Sequence, residues 1–80
     1  MMEETVEFDV EVDAKNQSCP MPVLLTAKAA KGMAEGQIMY LEATDAGARS
    51  DIPAWVTQTG NELVESSEDG GVLKFYIRKK

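Results

Sequence analysis

Near the start of the chain Val6, Phe8, Val10 and Val12 alternate with Glu7, Asp9, Glu11 and Asp13. A period of two predicts a first strand with these four apolar residues on a buried face and the carboxylates on a wet one. The polar connection Ala14-Lys15-Asn16-Gln17-Ser18 follows, and Asn16 is a residue that tolerates a left-handed turn. Pro20 and Pro22 then open an alanine-rich run. Proline suits the first turn of a helix, where its missing N–H is not needed, so a helix is predicted from Pro20 to about Met33, with Gly32 or Gly36 near its stop. On a helical wheel Val23, Ala27, Ala30 and Ala34 share one side, flanked by Leu25, Ala29 and Met33. Lys28, Lys31 and Glu35 take the opposite side, with Leu24 among them.

Gln37 to Ala43 is an apolar run of strand length, and Thr44 to Arg49 is a loop of small residues. Ser50 or Asp51 is expected to cap a second helix running to Thr59, with Pro53 in its first turn and Ile52, Trp55, Val56 and Thr59 on one face. Gly60-Asn61 stops it. Residues 62 to 68 read as a third strand, Asp69-Gly70-Gly71 as a hairpin turn, and Val72 to Arg78 as a fourth strand with Leu73, Phe75 and Ile77 inward. The order βαβαββ, with a parallel crossover between the first two strands, predicts an α+β fold. Two helices cannot cover both faces of the sheet, so the expected architecture is a two-layer sandwich of a mixed four-stranded sheet with both helices on one face. Residues 1–80 are expected to form a single domain.

The composition narrows the function. With 80 residues, 44 % of them hydrophobic, the chain can bury only one modest core. A net charge of −6 argues against direct nucleic-acid binding, which needs a basic surface. No apolar run approaches the roughly 18 residues of a membrane span, and Met1-Met2-Glu3-Glu4 is unlike a signal n-region, so no membrane association and a cytoplasmic location are expected. The single cysteine cannot form an internal disulfide. The absence of histidine excludes Cys-His and Ser-His-Asp catalysis and the usual zinc sets, and neither a metal nor another cofactor is expected.

Cys19 is therefore the candidate chemical residue, with thiol exchange, persulfide carriage, oxidation sensing or an inert thiol as its possible roles. A lone cysteine is ordinarily a small buried hydrophobe. Here it falls at or next to the N-cap of the first helix, where partial positive charge favours thiolate, and Pro20 and Pro22 rigidify the backbone that aims it. A helix terminus offers an anion about 0.3–2 kcal/mol, enough to lower a free thiol from about 8.5 towards about 7.5. From Ala14 to Ala34 there is no acidic residue, while Lys15, Lys28 and Lys31 are present. That setting activates a thiol but supplies no acid–base machinery, which suits a carrier. Leu24, Lys28 and Lys31, outward on the same helix, are candidates for docking a partner protein. A non-catalytic interaction or regulatory module, with Cys19 incidental or acting as a redox sensor, is the alternative.

The motif Cys19-Pro20-Met21-Pro22 resembles that of the small sulfurtransferases of the TusA (SirA-like) family. Asp13, Ala43-Thr44-Asp45, Asp51-Ile52-Pro53 and Gly60-Asn61-Glu62-Leu63 support the likeness, which extends from Val12 through Lys79. The resemblance implies a two-layer βαβαββ fold and a persulfide on Cys19. It also implies two partners: a sulfur donor such as a cysteine desulfurase or rhodanese, and an acceptor protein. Family members serve tRNA thiolation, molybdenum-cofactor synthesis, sulfur oxidation or selenium metabolism. Two positions depart from the family pattern, Asn16 where a glycine is common and Ala46 where a proline is common.

Overall fold

The computed structural model describes residues 7–18 and 20–80. Its elements are β1 (Val10–Ala14), α1 (Met21–Lys31), β2 (Ile38–Ala43), α2 (Ala48–Thr59), β3 (Glu62–Asp69) and β4 (Val72–Arg78). They form the expected α+β sandwich, with strand order β1-β2-β4-β3. β1 and β2 pair in parallel, with Val12 opposite Leu41, and the β2/β4 and β4/β3 pairs are antiparallel. Parallel neighbours need a crossover, which α1 supplies, whereas Gly70 and Gly71 close the β3–β4 hairpin at φ 62° and 85°. Val64 is an extra residue in β3, because Leu63 faces Ile77 and Glu65 already faces Tyr76.

Period-two burial holds in the two central strands. Met39, Leu41 and Ala43 of β2 and Leu73, Phe75 and Ile77 of β4 face the helices, joined by Val12 and Ala14 of β1 and by Ile52 and Val56 of α2. The first strand is shorter than its alternation suggests. Val6 lies outside the described residues, and Phe8 lies ahead of β1, 41 % exposed. The chain bends at Asp9, whose backbone N–H donates to the Ile38 carbonyl while its carboxylate accepts from the Ile38 N–H. Phe8 thus stacks on Tyr40, with ring centroids 5.2 Å apart, on the sheet face away from the helices.

The inward stripe of α1 is Pro22, Thr26 and Ala30, continued by Met33, with Val23 and Ala27 half-buried at its side. Thr26 is fully buried because its hydroxyl donates to the Pro22 carbonyl at 2.7 Å, so a polar residue enters the core satisfied. α1 ends at Lys31, two residues short of Met33, with Gly32 as its C-cap.

α2 begins earlier than a Ser50 or Asp51 cap predicts. Gly47 is the N-cap, and the Ala48, Arg49 and Ser50 N–H groups donate to carbonyls three residues back. A Cβ on Gly47 would meet an Asp45 carboxylate oxygen at 3.0 Å, so a larger residue there requires the Asp45 side chain to shift. Pro53 consequently sits inside α2 rather than in its first turn. At the other end Gly60, at φ 76°, forms a left-handed C-cap.

Pro22 is among the most deeply buried side chains, so it packs the core as well as opening α1. Pro22→Ala removes two ring methylenes and loosens the unfolded chain, and is expected to lower stability by about 2 kcal/mol. Urea midpoints of the two proteins measure the loss.

Candidate functional site

Pro20, exposed, is the N-cap residue of α1, with φ −98° and ψ 15° and no side-chain cap. Cys19 adjoins it in sequence and lies outside the described residues. The terminus differs from an ordinary helix start, which presents four N–H groups without intrahelical partners. Pro20 and Pro22 have none, and the Met21 N–H donates to the Ser18 carbonyl at 2.9 Å. The remaining donor of the four is the Val23 N–H. The first turn holds no acidic residue, and Lys28 and Lys31 occupy the last turn. Favourable electrostatics for an anion here thus come from the aligned peptide dipoles more than from a fan of backbone donors.

The connection before the motif is tied to β2. Asn16 takes φ 66°, the one positive φ outside glycine among the described residues, and its N–H donates to the Thr44 hydroxyl at 2.9 Å. Lys15 Nζ donates to Glu42 Oε1 at 2.7 Å and lies 3.4 Å from Asp13 Oδ1. Glu42 Oε2 accepts from the Tyr40 hydroxyl at 2.6 Å. The expectation that Lys15 adds free positive charge beside the sulfur is therefore corrected, because two carboxylates already neutralise it. Hydrogen bonds from Lys15 and then Tyr40 hold the Glu42 carboxyl below its ordinary value, and Glu42 in turn holds Lys15 above its own. Burial first, and the bond to Glu42 second, push Tyr40 above the usual tyrosine range. No pattern of spacing announced this network, since its members meet only across β1 and β2.

A pH dependence follows from the lowered Glu42 value. A carboxyl that titrates lower folded than unfolded stabilises fully above its ordinary value of 4.5 and loses that contribution as pH falls through the folded value. Glu42→Gln is expected to flatten the fall of the urea midpoint between neutral pH and the acid side of 4.5. A variant as acid-sensitive as wild type would remove Glu42 from that dependence.

Along the outer side of α1, Met21, Leu24, Lys28 and Lys31 are all exposed and share one stripe. Leu24 is 53 % exposed and Met21 38 %. The wheel placed Leu24 with the two lysines. It passed over Met21, although the spacing of three to Leu24 is legible in the sequence. Lys28 and Lys31 make no ion pair among the described residues. Pro22 is separated from this outer group by its burial.

Among the described residues no cluster of histidine, cysteine, aspartate or glutamate is arranged to hold a metal ion. No helix there is long and apolar enough to cross a membrane.

The family model "Sulfurtransferase TusA" matches residues 10–79. The sulfur carrier protein TusA of Allochromatium vinosum is 45 % identical over 73 residues, covering 91 % of this chain and 96 % of the relative. A putative sulfur carrier protein of Bacillus subtilis, YrkI, is 44 % identical over 74 residues, covering 92 % and 99 %. Among solved structures, the crystal structure of a SirA-like protein from Desulfitobacterium hafniense superposes with a TM-score of 0.76 at 25 % identity, covering 88 % of this chain and 96 % of that one.

Proposed function

The chain belongs to the TusA family of sulfur carriers, and we propose from that premise that Cys19 is the residue that holds the sulfur, as a persulfide. The observation that supports this most is the setting of the only cysteine, directly before an exposed N-cap proline and a first helical turn without carboxylates. A thiolate is favoured there, and the chemistry needs little more. The Cys19 thiolate attacks the outer sulfur of a donor persulfide. A new S–S bond forms to Cys19, the donor's own S–S bond breaks, and the donor leaves as a thiolate. The proton on the outer sulfur travels with it, and no net oxidation occurs. Attack by an acceptor thiolate on the same outer sulfur repeats the exchange and regenerates Cys19.

Such a relay involves a donor protein, a cysteine desulfurase or rhodanese, and an acceptor protein. Transfer serves a thiolation, cofactor-synthesis or sulfur-oxidation route. Pro20 and Pro22 position the thiol, while Leu24, Lys28 and Lys31, with Met21, form the docking stripe. The protein acts as a carrier within a reducing cytoplasm, where one thiol stays free.

Intact mass after incubation with an excess of a sulfane-sulfur donor tests the proposal. One added sulfur atom per chain, removed by a thiol reductant, is expected. An unchanged mass would favour an interaction module with Cys19 incidental, and added oxygen alone would favour a redox sensor.

A further inference from the structure

The inward positions of β4 run Leu73, Phe75 and Ile77, and the next position of that period is Lys79, a charged residue at the end of an apolar series. Where a chain breaks its own pattern, a functional reason is worth seeking. Lys79 lines an open groove of about 300 Å³ between α1, α2 and the end of the chain. Ala27, Ala30 and Trp55 supply its apolar floor, and Lys31, Lys79 and Lys80 its charged rim.

The rim is held in place by the backbone. Lys79 exchanges hydrogen bonds with the Gly36 N–H and the Gln37 carbonyl at 2.7 and 2.8 Å. The Lys80 N–H donates to Asn61 Oδ1, and the Asn61 amide donates to the Thr59 hydroxyl, both at 2.9 Å. The charge distribution is also uneven. Lys15, Arg49, Lys74 and Arg78 each lie within 3.8 Å of a carboxylate, and Lys80 shares Glu62 with Arg78 at 3.7 Å. Among the described residues, the cations in no ion pair are Lys28, Lys31 and Lys79, and two of these three line the groove. In a chain of net charge −6, two cations in no ion pair thus lie in one groove with the single tryptophan.

We propose that this groove binds an extended acidic segment of a partner protein, with an apolar side chain over Trp55 and carboxylates at Lys31 and Lys79. The groove is too open to enclose a small molecule, which needs most of its surface covered, whereas a peptide strand lies well in a shallow, charged channel. Lys31 belongs also to the docking stripe of α1, so a protein seated on that stripe reaches the groove without a break. The proposal rests on the sulfur-carrier reading only in taking the partner to be one that donates or accepts sulfur.

Trp55 is the sole tryptophan and reports directly on occupancy. The test titrates the full reduced protein, with no sulfur donor present, with a set of short synthetic peptides in which glutamates flank one leucine or phenylalanine. At low salt at least one peptide is expected to shift Trp55 emission saturably, and the shift is expected to fade as salt rises. Lys31→Glu/Lys79→Glu is expected to weaken that binding roughly tenfold. Lys74→Glu, which makes a charge change of the same sign outside the groove, is expected to leave it near wild type. Emission unmoved by every peptide, or binding that survives the double reversal, would overturn the proposal. So would a response to ATP or inorganic phosphate with none to the peptides. Because no sulfur moves in this titration, its failure leaves the role of Cys19 standing, and failure of sulfur acceptance leaves the groove standing.

Discussion

Cys19→Ser is expected to reduce sulfur acceptance to the background seen without protein while the fold persists. A hydroxyl cannot form the S–S bond, and the chain contains no second cysteine to take its place. The core assembled among the described residues comes from the sheet and the inward stripes of the helices, and serine differs from cysteine by a single atom. Far-ultraviolet circular dichroism and the urea midpoint should therefore stay close to wild type, which separates loss of chemistry from loss of structure. A serine variant that still gains sulfur would place the sulfur elsewhere and end the assignment.

The second large effect is expected on the outer stripe of α1. On the proposed reading a persulfide handed directly between proteins avoids loss to solvent thiols, so the start of α1 has to meet a donor and an acceptor in turn. Leu24 and Met21 give that surface an exposed apolar centre, and Lys28 and Lys31 a cationic flank. Apolar anchors with charged rims are a common form of transient interface. Leu24→Ala, and separately Lys28→Glu/Lys31→Glu, are expected to slow transfer from a donor protein about tenfold, while the rate with a small sulfane-sulfur compound stays normal. The charge effect should shrink towards 1 M salt, where the screening length falls to about 3 Å. Equal slowing of both reactions would mean that the thiol itself was disturbed. No slowing in either would return the stripe to ordinary surface.

Much of this architecture was legible in the residues. An apolar run of strand length located β2, alternation in Val72–Arg78 located β4 and its inward face, and glycines and prolines punctuated the elements between them. Alternation overreached at Phe8, because the register of β1 is set by Asp9 bonding to Ile38, a long-range contact with no local signature. The wheel of α1 missed Thr26, whose polarity is cancelled by a bond inside its own helix. It likewise missed the burial of Pro22, which a reading of proline as punctuation overlooks. At α2 the side-chain caps Ser50 and Asp51 drew the boundary inward, while Gly47 started the helix without a side-chain cap. For the site, the motif order and the outer stripe were plain. The Lys15–Glu42–Tyr40 network and the Trp55 groove were not, because each joins residues far apart in sequence.

The most direct measurement is peptide-level mass spectrometry of the protein after loading by a cysteine desulfurase with cysteine, repeated after an acceptor protein is added. The account predicts one additional sulfur on the peptide containing Cys19, and its disappearance as the acceptor gains it. Sulfur found on any other peptide, or an unmodified Cys19 while sulfur still reaches the acceptor, would contradict it.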